Sequence, residues 1–198
     1  MPRLLVLSAS TRTASNGRPF ARWIAGTARA HAGFQVEFAD LGELALPLLD
    51  EPEYASTGIY HHQHTRDWSA VVGAADAFVF VLPMYNGGFT APLKNALDHL
   101  YAEWRGKPVG LVSYTAGPTG GTPAVDMILP VLGNLGLKAA DRRIAVPAIH
   151  EHVTGGSFTA PEGLADELGA LLDELAKRTV SETVESVEAS EAAATGAE

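Results

Sequence analysis

Residues 77–82 read Ala-Phe-Val-Phe-Val-Leu, the most apolar run in the chain, and nothing else in the sequence limits the fold as strongly. A strand with no polar side to turn toward water has to be covered on both faces, as a central strand of a parallel sheet is. Parallel neighbours need long crossovers, and helices supply them. The rest of the chain offers both kinds of element. Arg3 to Ser8, Phe34 to Phe38, Val109 to Tyr114 and a weaker Arg143 to Ile149 read as further strands. Between them lie helical patterns. The first starts at Gly17, places Phe20, Trp23, Ile24 and Thr27 on one face and ends near Gly33. A second is available from His64 to Gly73. A third follows Pro92, with Thr90 as its cap and Leu93, Leu97, Leu100 and Trp104 at helical spacing. Val125 to Leu135 forms a fourth, in which Pro130 marks a kink or a late start. Pro161 to Lys177 is a fifth, amphipathic through Leu164, Leu168, Leu171, Leu172 and Leu175. Residues 41–62 are irregular, broken by Pro47, Pro52 and Gly58.

Five strands alternating with helices predict an α/β three-layer sandwich around a parallel sheet. The length of 198 residues suits five strands better than six. The expected folded domain is 1–178, followed by an acidic disordered tail at 179–198. Of 23 acidic residues five follow Arg178, and none of the 14 basic ones does, so the body before that point carries a net charge of −4. A mildly acidic body without a Lys/Arg stripe argues against nucleic-acid binding. The absence of cysteine excludes disulfides, thiolate metal sites and a catalytic thiol. No apolar stretch approaches the ~20 residues of a membrane helix, and no signal-peptide pattern opens the sequence. The expectation is a soluble cytoplasmic protein with no membrane partner.

In an open parallel sheet, ligands bind beyond the carboxyl ends of the strands, where the strand order reverses. For a five-stranded sheet in the order 2-1-3-4-5, of which flavodoxin is the type example, that point lies between strands 1 and 3. Both loops there are chemically unusual. The first runs Ser10-Thr11-Arg12-Thr13-Ala14-Ser15-Asn16-Gly17 and sets hydroxyls, an amide and a guanidinium ahead of a helix N-terminus. That combination suits a phosphate, although taken alone it reads equally as a capped polar turn. No G-x-G-x-x-G follows strand 1 and no G-x-x-x-x-G-K-[ST] occurs anywhere, so neither a dinucleotide fingerprint nor an NTPase loop is present. The second loop, Pro83-Met84-Tyr85-Asn86-Gly87-Gly88-Phe89, offers ring faces, an amide and two glycines for close approach to a flat ligand.

These residues carry a resemblance. Ser10-Thr11-Arg12 with Ser15-Asn16, Pro83-Met84-Tyr85-Asn86 with Pro92-Leu93-Lys94-Asn95-Ala96-Leu97-Asp98, and Gly106-Lys107-Pro108 through Gly120-Gly121 resemble the NAD(P)H-dependent FMN reductase family and its quinone- and azo-reducing relatives. The resemblance spans about residues 3 to 150, and the middle block is its most specific part. It implies a flavodoxin-like fold, FMN as cofactor, NAD(P)H as co-substrate, a small-molecule electron acceptor and a homodimer or higher homo-oligomer. Ser10, Arg12 and Ser15 would hold the FMN phosphate, with Asn16 and Gly17 at the helix start. Pro83, Met84, Tyr85, Asn86 and Gly87 would line the isoalloxazine, and the stretch from Ser113 through Tyr114 to Gly117 would cover its other edge. No side chain is assigned a catalytic role and no metal ligand is assigned. Two positions depart from the family. Ala9 replaces a usual glycine and would be strained if that position requires a positive φ. Met84 stands where relatives often carry an acid.

His61, His62 and His64 form the densest histidine cluster, yet adjacent His61 and His62 are poorly placed to converge on a metal. The long loop that holds them reads instead as a lid or a nicotinamide contact, with Tyr60 and His64 its leading members. Tyr101 and Trp104 belong to the core or extend it toward a partner subunit. Arg142 and Arg143 are a solvated edge or meet a nucleotide phosphate. His99, His150 and His152 are read as surface or locally bonded residues. Two functions from different classes follow: an FMN-dependent oxidoreductase, and a non-catalytic FMN electron carrier of flavodoxin type. A receiver-type signalling domain would need an acidic cluster after strand 1, and there is none.

Overall fold

A computed structural model describes the backbone of residues 1–195 and the side chains of residues 1–180. Five parallel strands lie in the order β2-β1-β3-β4-β5: β1 Arg3–Ser8, β2 Gln35–Asp40, β3 Ala77–Pro83, β4 Pro108–Tyr114 and β5 Lys138–Val146. The flavodoxin-like order expected from the sequence is the order found. All seven residues of β3 and all seven of β4 are buried. Alternation divides β3 between two cores: Phe78, Phe80 and Leu82 face one layer of helices, and Ala77, Val79 and Val81 the other. Each fully buried Phe, Leu or Val contributes roughly 1.5–3 kcal/mol, so this strand anchors both layers.

On one face lie α3 (Gln63–Gly73), α4 (Ala91–Asp98) and α5 (Thr122–Leu135); on the other lie α1 (Gly17–Ala30) and α6 (Leu164–Thr195). Leu164, Leu168, Leu171, Leu172 and Leu175 of α6 are all buried, as their spacing predicts. A short α2 (Leu41–Leu44) follows β2, and a two-stranded hairpin of β6 (Val153–Thr154) and β7 (Ser157–Phe158) precedes α6. Phe158 of that hairpin packs on Phe20 and Trp23 of α1. No helix among the described residues is long and apolar enough to cross a membrane.

Four boundaries differ from the sequence reading. β5 begins at Lys138 and ends at Val146, whereas Arg143 to Ile149 was expected. It is an edge strand, so exposed Lys138, Asp141, Arg142 and Arg143 interrupt its apolar pattern, and a register shift opposite Val109/Leu111 adds length. α4 stops at Asp98, and a 3₁₀ turn at Ala102–Trp104 carries the rest of the apolar stripe. α5 starts at Thr122, so Pro130 lies inside it rather than at a late start. Finally, the α6 backbone is helical through Thr195, across most of the stretch read as a disordered tail.

Candidate functional site

The strand order reverses between β1 and β3, and the loops that follow these two strands meet there. Ala9 is fully buried, donates its N–H to the Val81 carbonyl (3.0 Å), and accepts the Thr90 hydroxyl on its own carbonyl (2.9 Å). Its φ is not positive, so the departure from glycine carries no strain. Thr90 also caps α4 by accepting the Leu93 N–H at 3.3 Å, as the sequence predicts. One hydroxyl thus ties the β1 loop to the helix that follows β3.

Beyond Ala9 the backbone turns around buried Ser10. Its Oγ accepts the Arg12 N–H (3.4 Å) and lies 3.1 Å from the Tyr85 hydroxyl. Ser15 Oγ accepts the N–H of Gly17, the first residue of α1, at 3.1 Å. Asn16 stands at the cap position and makes no side-chain cap bond, and no acidic residue occupies the first turn. The positive end of the α1 dipole therefore faces outward without a counter-charge of its own. Arg12 is exposed and has no ion pair among the described residues. Its neighbour Arg18 is bound to buried Asp40 at 2.7 Å, and that carboxylate also caps α2 through the Gly42 N–H. Bonding to Asp40 raises the Arg18 pKa above its ordinary value. Arg18 is thus committed to the frame and Arg12 is not.

Across from this loop, Tyr85 and Gly88 exchange two backbone hydrogen bonds of 2.9 and 3.0 Å around Asn86 (φ 51°) and Gly87 (φ 82°). Positive φ at both central residues is the signature of a tight type I′ turn, which Asn-Gly adopts readily. The turn is held to the sheet by the Met84 N–H, which donates to the Tyr114 carbonyl at 3.1 Å. Tyr114 itself sends its phenol over the start of α1: a Cβ on Gly17 would overlap the Tyr114 hydroxyl. Burial, the largest cause, pushes the Tyr114 pKa up to about 12, against the hydroxyls of Ser15 and Ser10 that favour its ionised form.

A cavity of about 250 Å³ lies between the two loops. Arg12, Ser15 and Asn16 line one wall, Pro83, Met84 and Tyr85 the other, and Tyr114 and Thr115 join them. Ser10 and Gly17, from the same loop and helix start, do not line it, nor do Asn86 and Gly87, which form the turn after Tyr85. Gly117 is positioned by its N–H to Thr115 Oγ1 (3.3 Å) and by its carbonyl, which accepts the Ala148 N–H. Ser113 faces elsewhere: it is fully buried and its hydroxyl donates to the Gly120 carbonyl at 2.8 Å. Its side chain is therefore part of the frame and does not reach the cavity. Ile149 also lines the cavity and has no local signal in the sequence. It arrives there because its N–H donates to the Thr115 carbonyl at 3.0 Å, after the chain has left β5.

The donor set fits a phosphate monoester on a flat, partly apolar body. An uncommitted guanidinium, several hydroxyls and an uncapped helix start occupy one end, and Pro83, Met84, Tyr85 and Ile149 the other. A larger cavity of about 300 Å³ lies behind Thr11, between α2 and the start of α4. Leu41, Leu46, Leu48 and Pro92 dominate its lining and no charged side chain enters it, so it lacks the chemistry for an anion.

The long segment before α3 does not reach the site. No residue of 41–62 lines the 250 Å³ cavity. Tyr60 donates its hydroxyl to Glu103 at 3.0 Å, and burial pushes its pKa up. His62 stacks on His64 at 5.2 Å, and His64 meets buried His99 edge-on at 5.8 Å, beyond the far end of α4. His99 is thus buried rather than on the surface, with its Nδ1 at 2.8 Å from the Asn95 carbonyl. Among the described residues no group of three or more His, Cys, Asp or Glu is placed to hold a metal. Trp104 is fully buried with its Nε1 donating to the Leu97 carbonyl, so it belongs to the core and not to a surface stripe. Arg143 lies 3.9 Å from Asp126 at the sheet edge, away from the cavity.

Comparison with known proteins agrees with this geometry. Residues 2–151 match the family of NADPH-dependent FMN reductases. An NAD(P)H-dependent FMN reductase of Schizosaccharomyces pombe is 36% identical over 172 residues, covering 86% of this chain and 85% of that protein. An NAD(P)H-dependent FMN reductase of Saccharomyces cerevisiae is 34% identical over 147 residues, with 71% and 73% covered. Among solved structures, the flavoenzyme NAD(P)H:(acceptor) oxidoreductase FerB from Paracoccus denitrificans superimposes with a TM-score of 0.72 at 20% identity, covering 92% of this chain and 99% of that one, a likeness of fold.

Proposed function

The chain belongs to the NADPH-dependent FMN reductase family, and on that footing we propose that it binds FMN in the cavity between the β1 and β3 loops and passes electrons from NAD(P)H to a small acceptor such as a quinone, an azo compound, a metal ion or free flavin. FMN is the cofactor and NAD(P)H the co-substrate of this family of enzymes. The observation that carries the placement is a single cavity with Arg12 and the uncapped α1 start at one end and the Pro83–Tyr85 wall at the other.

Bound FMN supplies hydride acceptance from the nicotinamide and delivery of electrons to the acceptor. The protein supplies position and electrostatics. Arg12, Ser10, Ser15 and the α1 N-terminus would hold the phosphate through charge-assisted hydrogen bonds. Pro83, Met84 and Tyr85, with Asn86 and Gly87 in the turn, would flank the ring system. Thr115 and the Gly117 backbone would close its other edge. With Met84 in place of an acid, this wall adds no negative charge beside the ring.

On the same reading the enzyme works in the cytoplasm as a homodimer or higher homo-oligomer, with residues 1–178 as the functional domain. Support for a second copy comes from Leu48, Tyr54 and Ile59, apolar side chains more than half exposed within one segment. Sedimentation of the purified protein should give at least twice the 20.8 kDa chain mass; a monomer at micromolar concentration would remove that part of the reading.

Activity is tested by following NAD(P)H oxidation with menadione or ferricyanide as acceptor. Turnover that depends on added or retained FMN is expected, with donor and acceptor giving parallel lines in a double-reciprocal plot because both need the one open face. Retention of FMN without NAD(P)H oxidation would favour the electron-carrier alternative.

A further inference from the structure

The Tyr114 hydroxyl has an unusual location for a residue at the end of β4. Strand alternation points its ring to the α1 and α6 face, where it meets Phe20 edge-on with centroids 6.0 Å apart. Its carbonyl is held by the Met84 N–H. The phenol shares the Ser10 hydroxyl with Tyr85. Its oxygen lies against the bare Cα of Gly17, at the N-terminal end of α1, with the Ser10 and Ser15 hydroxyls beside it and Arg12 near enough to act on it electrostatically. The residue is only 5% exposed.

Three hydroxyl oxygens, two from the β1 loop and one from the end of β4, thus lie at one helix start. Two already accept backbone N–H groups, Ser10 from Arg12 and Ser15 from Gly17, and both also meet phenols, Ser10 that of Tyr85 at 3.1 Å and both that of Tyr114, so a ligand oxygen entering here would meet a shared set of hydroxyl protons. The phenol keeps its proton throughout the neutral pH range, since burial pushes its pKa up to about 12. It is a fixed donor in a place with no acidic side chain in the adjoining helical turn.

We propose that the Tyr114 hydroxyl is a phosphate ligand of the cradle, supplied by β4 across the sheet, and that Gly17 is bare so that this hydroxyl can reach the start of α1. The inference rests on the FMN reading above and moves Tyr114 from the ring edge to the phosphate end. It makes the cradle a structure of two strands: the β1 loop brings the guanidinium and two hydroxyls, and β4 brings the third. Phosphate affinity then depends on the register of β4 as well as on the loop.

The test is a pair of variants titrated with FMN and with riboflavin, followed by flavin fluorescence. Tyr114→Phe retains the ring on Phe20 and removes only the hydroxyl. It should weaken FMN binding roughly 10-fold or more, the effect of losing one hydrogen bond to a charged group, and leave riboflavin within about twofold. The ³¹P resonance of bound FMN should also shift in Tyr114→Phe, since a donor has left the phosphate. Gly17→Ala displaces the phenol and should show the same FMN-selective loss. Thermal melts establish that each variant is folded, and if Gly17→Ala does not fold, Tyr114→Phe decides alone. Unchanged FMN affinity in Tyr114→Phe, or equal losses for FMN and riboflavin, would overturn the assignment. Failure of the unmodified chain to prefer FMN over riboflavin would instead overturn the cofactor reading beneath it, a result the variants cannot produce.

Discussion

Two irregular regions beyond the carboxyl ends of the strands use similar residues to opposite effect. In the β1 loop the frame uses few of the polar groups: among the described residues Arg12 pairs with no acid, the Asn16 side chain makes no cap bond, and the Ser10 and Ser15 hydroxyls meet only phenols besides the nearby N–H groups they accept. In residues 45–62 they are committed. Asn95 clamps the segment twice, donating to the Pro47 carbonyl (2.7 Å) and accepting the Leu49 N–H (2.9 Å). Glu51 accepts the His61 and His62 N–H groups ahead of α3, and Arg66 holds the Tyr60 and His61 carbonyls. The lesson concerns how a site is recognised. Charged and amide side chains mark a ligand position where the frame does not use them, and mark architecture where it does.

The contrast can be broken by exchanging the two kinds of effect. Arg12→Ala should give the largest change. FMN should bind roughly 10- to 100-fold more weakly, the range of 1.5–3 kcal/mol for a charge-assisted bond, with riboflavin affinity and melting temperature unaffected. A fall in melting temperature would show that Arg12 is also part of the frame. Asn95→Ala should do the reverse, with a stability loss of about 1 kcal/mol in urea for two neutral hydrogen bonds and FMN affinity intact. Weaker FMN binding there would connect the segment to the site after all.

A smaller, pH-dependent effect belongs to Glu51. Partial burial raises its pKa, but the His62 and His61 N–H groups, with Thr65 and His62, outweigh this and bring it from 4.5 down to about 2. A carboxylate depressed on folding contributes its full stabilisation above the unfolded value, and that contribution is lost as pH falls toward the folded one. Between about pH 4.5 and 2 the wild type should therefore lose stability more steeply than Glu51→Gln, as measured by urea midpoints across that window. Parallel curves would mean that the cap contributes nothing. The smallest effect is expected from truncation after Arg178, which leaves both regions in place. Melting temperature and FMN affinity should stay unchanged, and a drop in either would place residues 179–198 within the functional domain.

How much of this was legible beforehand follows the same division. β1, β3 and β4 are apolar on both faces, so their periodicity cannot be confused with that of a loop, and their positions in the sequence agree with the structure to within a residue. β5 is half exposed, and its Lys, Asp and Arg residues hide where it starts. The loops after β1 and β3 stand out by composition, and the resemblance to known reductases sharpened them. That the 41–62 segment, expected as a lid or a nicotinamide contact, lies clear of the cavity lining was not legible, because its anchors, Asn95 and Glu103, come from distant positions that no local pattern reveals. The position of the Tyr114 hydroxyl was equally hidden, because only the contact with Gly17 shows that it lies over the start of α1.

The pairing of β1 with β3 also bears on the order of events during folding. Leu4 sits opposite Ala77 and Ser8 opposite Val81, with β2, α1 and α3 all lying between them in the chain. Closing so long a loop has an entropic cost and is slow relative to local helix formation. Until it closes, the two walls of the cavity belong to separate ends of a partly folded chain, and no flavin can bridge them. Cofactor capture is thus expected late, on a surface the polypeptide has already assembled. In a stopped-flow refolding trace, quenching of FMN should lag the recovery of helical signal, and its rate should stop rising with FMN concentration once strand pairing becomes limiting.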